Sequence, residues 1–422
     1  MIARLLSSKL MRKAGWNIVD QALSALSNVL LSVIVARSVD ATSFGAFAIA
    51  FVVFGIALAV TKSVVGQPLQ IRFSAATSEV FRSAVARSSG LALSISVVAA
   101  IGCLVAGALV PGVTGRALLA LAVILPGLLL QDTCRMAFFA QGEARKAALI
   151  DAVWTVALVG ILGLLIVLGQ NSVEQLIFAW GGAAALSAAL GLILLRARPR
   201  PSQSIAWMRE QGELNRYLFA EYFLGLGASQ IAVLLVGLIA SASAVGSLRA
   251  AQVLLGPLAI VGVAAFQFVV PEVARRTEMS PQHRWWVGIG LSGVLGTVTV
   301  VYVVLMLVIP RPLGLQLFGD SWDGAASVLL AMGLSSLASS LANGPAGVLY
   351  GMGQAKRTFR INLAKAPILL FLVLLGAWQW GALGAAWGLA ITEAVVLPMW
   401  VVTLRKAVVA NERMQPSATL PG

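Results

Sequence analysis

Apolar residues occur in long runs along the chain, and polar residues cluster in short intervals between them. Each of these runs is close to the roughly 20 residues that an α-helix needs to cross the hydrocarbon of a bilayer. They lack a period-two alternation, so helices are predicted rather than the strands of a barrel. The predicted helices span residues 14–36, 44–66, 89–110, 117–140, 149–168, 176–195, 217–240, 250–270, 286–309, 324–350, 363–380 and 384–404.

The composition is typical of a membrane protein. Of 422 residues, 59% are hydrophobic and 11% are charged. So few charged side chains cannot cover a water-facing surface. The two cysteines, Cys103 and Cys134, both fall in predicted helices, and the chain has one histidine. We therefore expect neither a disulfide framework, nor a metal site, nor a cofactor.

Basic residues fall mostly on one side of the predicted topology. Of the 30 lysines and arginines, 25 belong to one set of alternate connections. The other set holds Arg37, Arg116, Arg249 and Arg311, and Lys62 lies within a helix. Because basic connections remain in the cytoplasm, both termini are predicted to be cytoplasmic, in a bacterial inner membrane. The net charge of +14 is then expected to contact membrane lipids, not nucleic acid.

The chain contains an internal repeat. The segment FFAQGEARKAALID, from Phe138, matches LYGMGQAKRTFRIN, from Leu349, and weaker matches occur in the same order near the first and last helices of each half. The paired residues include Asp20 and Glu221, Gly45 and Gly246, Gly142 and Gly353, and Trp180 and Trp387.

The repeat predicts how the helices are organised. Each half holds six predicted helices, an even number, so the second half starts on the same side of the membrane as the first. We expect an all-α integral membrane fold of about 12 helices, in two six-helix bundles related by a pseudo-two-fold axis along the membrane normal. The predicted parts are a first bundle (1–195), a basic cytoplasmic linker (196–216), a second bundle (217–404) and a cytoplasmic tail (405–422).

Several features resemble the MOP flippase superfamily. They are the two six-helix halves, the turn ARSVDATSFG (36–45), and the Gly-containing basic turns after the fourth and tenth helices. Within the superfamily the chain is most similar to the Wzx-type polysaccharide flippases, and less so to MATE drug antiporters or the lipid II flippase MurJ. The resemblance implies that a lipid-linked isoprenoid pyrophosphate oligosaccharide moves from the cytoplasmic to the periplasmic leaflet by alternating access. A glycan polymerase or assembly protein is an expected partner.

Three other functions fit the same pattern of helices. They are a MATE-like cation or drug antiporter, a membrane glycan polymerase or ligase, and a non-catalytic scaffold of a glycan assembly complex. The sequence favours transport over catalysis, because the longest outer loop is short and no nucleotide-binding motif or metal-ligand cluster is present.

The first predicted helix carries a polar stripe. A charged side chain at bilayer depth costs roughly 2.5 to 3.5 kcal/mol, so each one in a helix needs a partner or a wet cavity. We predict that the stripe forms the wall of a hydrated cavity, and the alternative is a polar seam between helices. The stripe consists of Asn17, Gln21, Ser24, Asn28 and Ser32, with Asp20 and Ser27 alongside.

Three further charged residues are candidates for substrate contact. Lys62 lies about one turn from the inner end of the second helix, where it can hold a pyrophosphate as a point charge. The alternative is that its stem extends to the headgroups. Asp132 and Arg135 are spaced i, i+3, so they either neutralise each other or contact the substrate.

The second half offers its own candidates. Ser336, Ser340 and Asn343 share one face of the tenth helix, which a proline interrupts as another does in the fourth. Such interruptions in corresponding helices indicate a transport site, and kinking at a packed interface is the alternative. Glu221 and Glu393 are candidates for proton or sodium coupling.

Overall fold

A computed structural model describes residues 26–275 and 279–414. Within these ranges the chain is helical and contains no strand. Eight of the described helices are long and apolar enough to cross a membrane, or nine if one bent pair is a single span. The all-α membrane fold is therefore confirmed, and the total of twelve spans stays a prediction.

The first eight helices are α1 (Leu26–Ser38), α2 (Ala41–Phe73), α3 (Ser78–Leu109), α4 (Gly112–Ala140), α5 (Ala144–Val167), α6 (Val173–Leu195), α7 (Ser204–Glu210) and α8 (212–239). Most of them overlap predicted helices, whereas α7 falls in the predicted linker. Asp40 caps the start of α2, where its carboxylate accepts the backbone N–H groups of Thr42 and Ser43. Hydrogen bonds from Ser43 hold the pKa of Asp40 below its ordinary value.

Six more helices complete the described chain. They are α9 (Ala242–Leu254), α10 (Gly256–Arg275), α11 (Pro281–Leu307), α12 (Arg311–Phe318), α13 (Trp322–Gly351) and α14 (Ala355–Met414). The range 250–270, which was predicted as one helix, includes parts of both α9 and α10, and these two helices meet at a bend of 55°. In contrast, the last two predicted helices are continuous in α14 except for a break at Trp380 and Gly381.

Each of the two compact units has a central helix. The first unit runs to Gly237 and adds Ser241–Gly246 and Leu315–Ser321, and the second takes the remainder. In the first, α4 packs most extensively against α3 and α6, and also contacts α2 and α5. In the second, α13 packs against α14, α11 and α10. The predicted division into bundles 1–195 and 217–404, related by a pseudo-two-fold axis, stays a prediction.

The strongest repeat match forms the same turn twice. Gly142 after α4 and Gly353 after α13 have φ angles of 71° and 70°, which favour glycine. In both turns the next residue donates its N–H to a carbonyl five positions earlier, at 2.8 Å after Gly142 and 3.0 Å after Gly353. These bonds satisfy carbonyls at the helix ends, which explains why both copies contain a glycine.

The predicted linker 196–216 is largely helical and packs into the first unit. The N–H of Arg200 donates to the carbonyl of Ala86 in α3 at 2.8 Å, and a Cβ at Gly90 would meet the backbone of Arg200 at 2.3 Å. The hydroxyls of Ser94 and Ser204 are 2.9 Å apart. This segment is therefore a fixed part of the unit and not a free connection.

Many of the basic residues counted with the connections lie within helices. Arg135 and Lys365, which the predicted helices 117–140 and 363–380 already include, lie within α4 and α14. Arg249, expected in an outer connection, lies within α9. Arg135 and Lys365 each have carboxylate partners on neighbouring segments, which makes a charge at that depth tolerable.

Candidate functional site

The second helix changes its hydrogen-bond pattern at Lys62. Residues Lys62–Gly66 form a π-helical turn, in which the N–H of Gln67 donates to the carbonyl of Lys62. Pro68 follows, and because it has no N–H, the carbonyl of Val64 loses the donor that a regular α-helix would supply. Such a wide turn within a helix frequently marks a functional site. Here the turn begins at Lys62, the one charged residue in the apolar part of α2.

Lys62 belongs to a cluster of charges carried by three helices. Its Nζ lies 3.4 Å from Asp132 Oδ1 on α4, and Arg135 Nη1 lies 3.7 Å from the same oxygen. Arg135 Nε also lies 3.2 Å from Asp151 Oδ2 on α5. Gln131 donates through Nε2 to Asp151 Oδ1 at 2.7 Å. These five residues are called the charge cluster below.

The charge cluster is neutral overall and mostly buried. Two cations face two carboxylates, and the exposed fraction of the side chain is 9% for Arg135, 10% for Asp132 and 1% for Asp151, against 25% for Lys62. Buried charges lose their hydration, which mutual attraction offsets only when they are paired. The most exposed member of the cluster is thus its lysine.

The two carboxylates are held differently. Asp151 accepts a hydrogen bond of ordinary length from Gln131. Both ion-pair distances of Asp132, 3.4 and 3.7 Å, exceed the range of a normal hydrogen bond. A second anion could therefore displace Asp132 from Lys62 more easily than it could displace Asp151.

The sequence predicted only part of this cluster. Lys62, Asp132 and Arg135 were candidates, but their common site was not anticipated, and Asp151 and Gln131 were missed. Asp151 lies about two turns into an apolar helix, which is the same signal that identified the other charged residues. The functional roles of all of these residues stay predictions.

Most of the polar stripe in the first helix falls outside the described residues, including Asn17, Asp20, Gln21 and Ser24. Asn28 lies in α1, where its backbone carbonyl accepts a hydrogen bond from the hydroxyl of Ser32 at 2.8 Å.

Three candidates of the second half, Ser336, Ser340 and Asn343, lie on α13 in the second unit. On α13, Ser336 donates to the carbonyl of Met332, and Ser340 accepts a hydrogen bond from Thr299 on α11 at 2.8 Å. A Cβ on Gly262 would approach Asn343 Nδ2 to 3.0 Å, so Asn343 faces α10. These contacts are those of seams between packed helices.

Glu393 has a cationic neighbour in the described structure. Lys365 Nζ lies 2.5 Å from Glu393 Oε1, and both residues belong to α14 on opposite sides of its break. An ammonium thus already occupies the position beside Glu393 that a coupling ion would take. Nothing is described of the side chain of Glu221.

Comparisons with known proteins agree with this architecture. A family model described as polysaccharide biosynthesis protein matches residues 10–275. No match to a curated protein was found. Because the family model covers more than half of the chain, the chain belongs to the polysaccharide biosynthesis protein family.

Solved structures show the same fold at low sequence identity. An inward-facing multidrug resistance MATE family transporter of the MOP superfamily matches with a TM-score of 0.73 at 13% identity, covering 95% of this chain and all of that one. Lipid II flippase MurJ, in an inward closed conformation, matches with a TM-score of 0.70 at 11% identity, covering 95% and 93% of the two chains. A MOP superfamily transporter from Pyrococcus furiosus matches with a TM-score of 0.58 at 11% identity, covering 96% of each chain. The chain thus has the fold of the MOP transporters and flippases.

Proposed function

We propose that the protein is a flippase that carries a lipid-linked isoprenoid pyrophosphate oligosaccharide from the cytoplasmic to the periplasmic leaflet by alternating access. The observation that supports this most is the charge cluster within the apolar spans α2, α4 and α5. Charged groups at that depth are costly, and in membrane helices they mark substrate or ion pathways. Membership of a polysaccharide biosynthesis family favours a glycan carrier as the substrate.

The geometry of Lys62 suits a phosphate. An ammonium has three N–H donors, and Asp132 is too distant to be a strong acceptor for any of them. A diphosphate oxygen at 2.7 to 2.9 Å would form the shorter, charge-assisted bond. We propose that the substrate replaces Asp132 as the anion beside Lys62, while Arg135 continues to balance Asp132.

The charge cluster is neutral without substrate, and this also favours release of the substrate. Because Asp132 can return to Lys62, the cluster does not keep an uncompensated positive charge when the substrate leaves. An outward-moving diphosphate with two negative charges gains roughly 5 kcal/mol per 100 mV of inside-negative potential. Export therefore needs no coupled ion, although protons or sodium ions remain candidates through Glu393 or Glu221.

A cation antiporter is less well supported by the cluster. An organic cation would need a carboxylate that is not already neutralised, and Asp132 and Asp151 each lie beside a cation. The same objection applies to Glu393, which lies beside Lys365. Glycan flipping is therefore the function that we favour over drug export.

Substitution of Lys62 tests the proposal. We expect Lys62→Gln to slow the flipping of a lipid-linked oligosaccharide in liposomes by tenfold or more, because a charge-assisted bond to phosphate contributes about 1.5 to 3 kcal/mol. Lys62→Arg should retain much of the activity, since the charge is kept. The matched control is Lys146→Gln, because Lys146 pairs with Glu143 near the start of α5, outside the charge cluster.

Normal flipping by Lys62→Gln, at the same protein level as wild type, would contradict the proposal. It would instead support the alternative in which the lysine only extends to the headgroups. Transport of organic cations without flipping would favour the antiporter.

A further inference from the structure

The π-helical turn that carries Lys62 has a hydrogen-bond donor from outside its own helix. Trp207 on α7 donates its indole N–H to the carbonyl of Val64 at 3.0 Å. This is the carbonyl whose regular helical donor is missing because residue 68 is proline. Trp207 therefore supplies a hydrogen bond in place of the one that residue 68 cannot donate, two residues away from Lys62.

The donor is held firmly in place. Trp207 is fully buried and stacks on Phe73 with a centroid distance of 5.5 Å. The guanidinium of Arg87 lies 5.8 Å from its ring centroid and also pairs with Glu210 at 2.6 Å. The indole N–H thus has a fixed direction, toward the turn.

We propose that Trp207 is a positioning residue for Lys62. Its indole N–H stabilises the wide turn of α2. It thereby keeps the ammonium of Lys62 beside Asp132, where the substrate phosphate is to replace the carboxylate. The inference rests on the proposed role of the charge cluster. A π turn contains one residue more than the α-helix it interrupts, and successive helical residues point about 100° apart. Relaxation of the turn would therefore swing Lys62 away from α4.

A purely structural role makes a different prediction. If Trp207 only fills the core between α7 and α2, its replacement lowers stability without a specific effect on anion binding. Trp180 provides the comparison, because it is also fully buried in the first unit and stacks on Phe51. In the described part of the chain no acceptor bonds to its indole nitrogen.

The test uses the full chain, purified in detergent, with inorganic diphosphate as the probe in isothermal titration calorimetry. We expect Trp207→Phe to bind diphosphate about fivefold more weakly than wild type, the factor that one neutral hydrogen bond contributes to an equilibrium. The affinity of Trp180→Phe for diphosphate should stay within about twofold of wild type, because this substitution removes no hydrogen bond. To preserve the shape of the ring, 3-benzothienylalanine at position 207 replaces only the N–H, and it should weaken binding as Trp207→Phe does.

The Lys62→Gln background separates the possible results. If the proposal holds, Trp207→Phe has no further effect on the residual binding of Lys62→Gln, because both act through the same ammonium. The positioning role is overturned if the benzothienyl variant binds like wild type, or if Trp207→Phe has its full effect without Lys62. If wild type and Lys62→Gln bind equally, the proposed function of the cluster fails, which is a distinct outcome.

Discussion

Asp132 and Asp151 have the same charge and contact the same arginine, yet their different surroundings indicate different roles. Asp151 is 1% exposed and accepts a 2.7 Å hydrogen bond from Gln131. Asp132 is 10% exposed and lies 3.4 Å or more from both of its cations. We infer that Asp151 holds Arg135 in place and that Asp132 is the exchangeable anion.

Neutralising each carboxylate in turn tests this distinction. Asp132→Asn should bind inorganic diphosphate up to about fivefold more tightly, because it removes an anion that competes for Lys62 with about 1 kcal/mol. Asp151→Asn should instead lower the unfolding temperature in detergent, because loss of one partner of a buried pair typically costs about 3 to 5 kcal/mol. Calorimetric titration and thermal unfolding of both variants provide the measurements, and equal effects of the two substitutions would contradict the assignment.

At this scale the sequence predicted the residue types but not their association. Lys62, Asp132 and Arg135 were recognisable because charges are rare in apolar runs. Sequence spacing relates only residues of the same helix, so the approach of α2 and α5 to α4 could not be derived from it. Asp151 was missed because the predicted helix began at residue 149, which placed Asp151 in a first turn near the membrane surface, whereas the helix begins at Ala144.

At the scale of the helices, hydropathy predicted where apolar helices occur. It did not predict the irregular turns within them. The turn at Lys62–Gly66 and the similar turn at Phe223–Gly227 leave the apolar run uninterrupted, so hydropathy gives no sign of them. Pro68 was the available signal for the first. The packed segment around α7 was predicted as a linker because its arginines and prolines are also typical of loops.

The break in α14 lets its two arms pack closely through glycines. A Cβ at Gly384 would lie 2.0 Å from the carbonyl oxygen of Gly376 on the other arm. We expect Gly384→Ala to lower the unfolding temperature measured in detergent, because overpacking at such a contact costs about 1 to 3 kcal/mol. Gly290→Ala is the matched control, since a Cβ on Gly290 in α11 would meet nothing within 4 Å. An unchanged melting temperature for Gly384→Ala would contradict the close contact of the arms.

On the scale of the whole molecule, the repeat was the most informative feature of the sequence. It correctly indicated that Gly142 and Gly353 form equivalent turns. It also paired Gly45 with Gly246, and a Cβ at Gly246 would lie 3.1 Å from the Cα of Gly45. Both glycines belong to the first compact unit, and the pseudo-two-fold relation of the two bundles stays a prediction.

The orientation in the membrane rests on the distribution of basic residues, and exposed cysteines can test it. Arg200 precedes α7 on the basic side, and Asp320 lies between α12 and α13 on the other, both with exposed side chains. We expect a membrane-impermeant maleimide to label Asp320→Cys in intact spheroplasts and to label Arg200→Cys only after permeabilisation. The wild-type chain is the control, because both of its cysteines are buried. Labelling of Arg200→Cys from outside would reverse the topology and place the end of α2 nearest Lys62 toward the periplasm, which would leave the proposed uptake of a cytoplasmic substrate without an entrance.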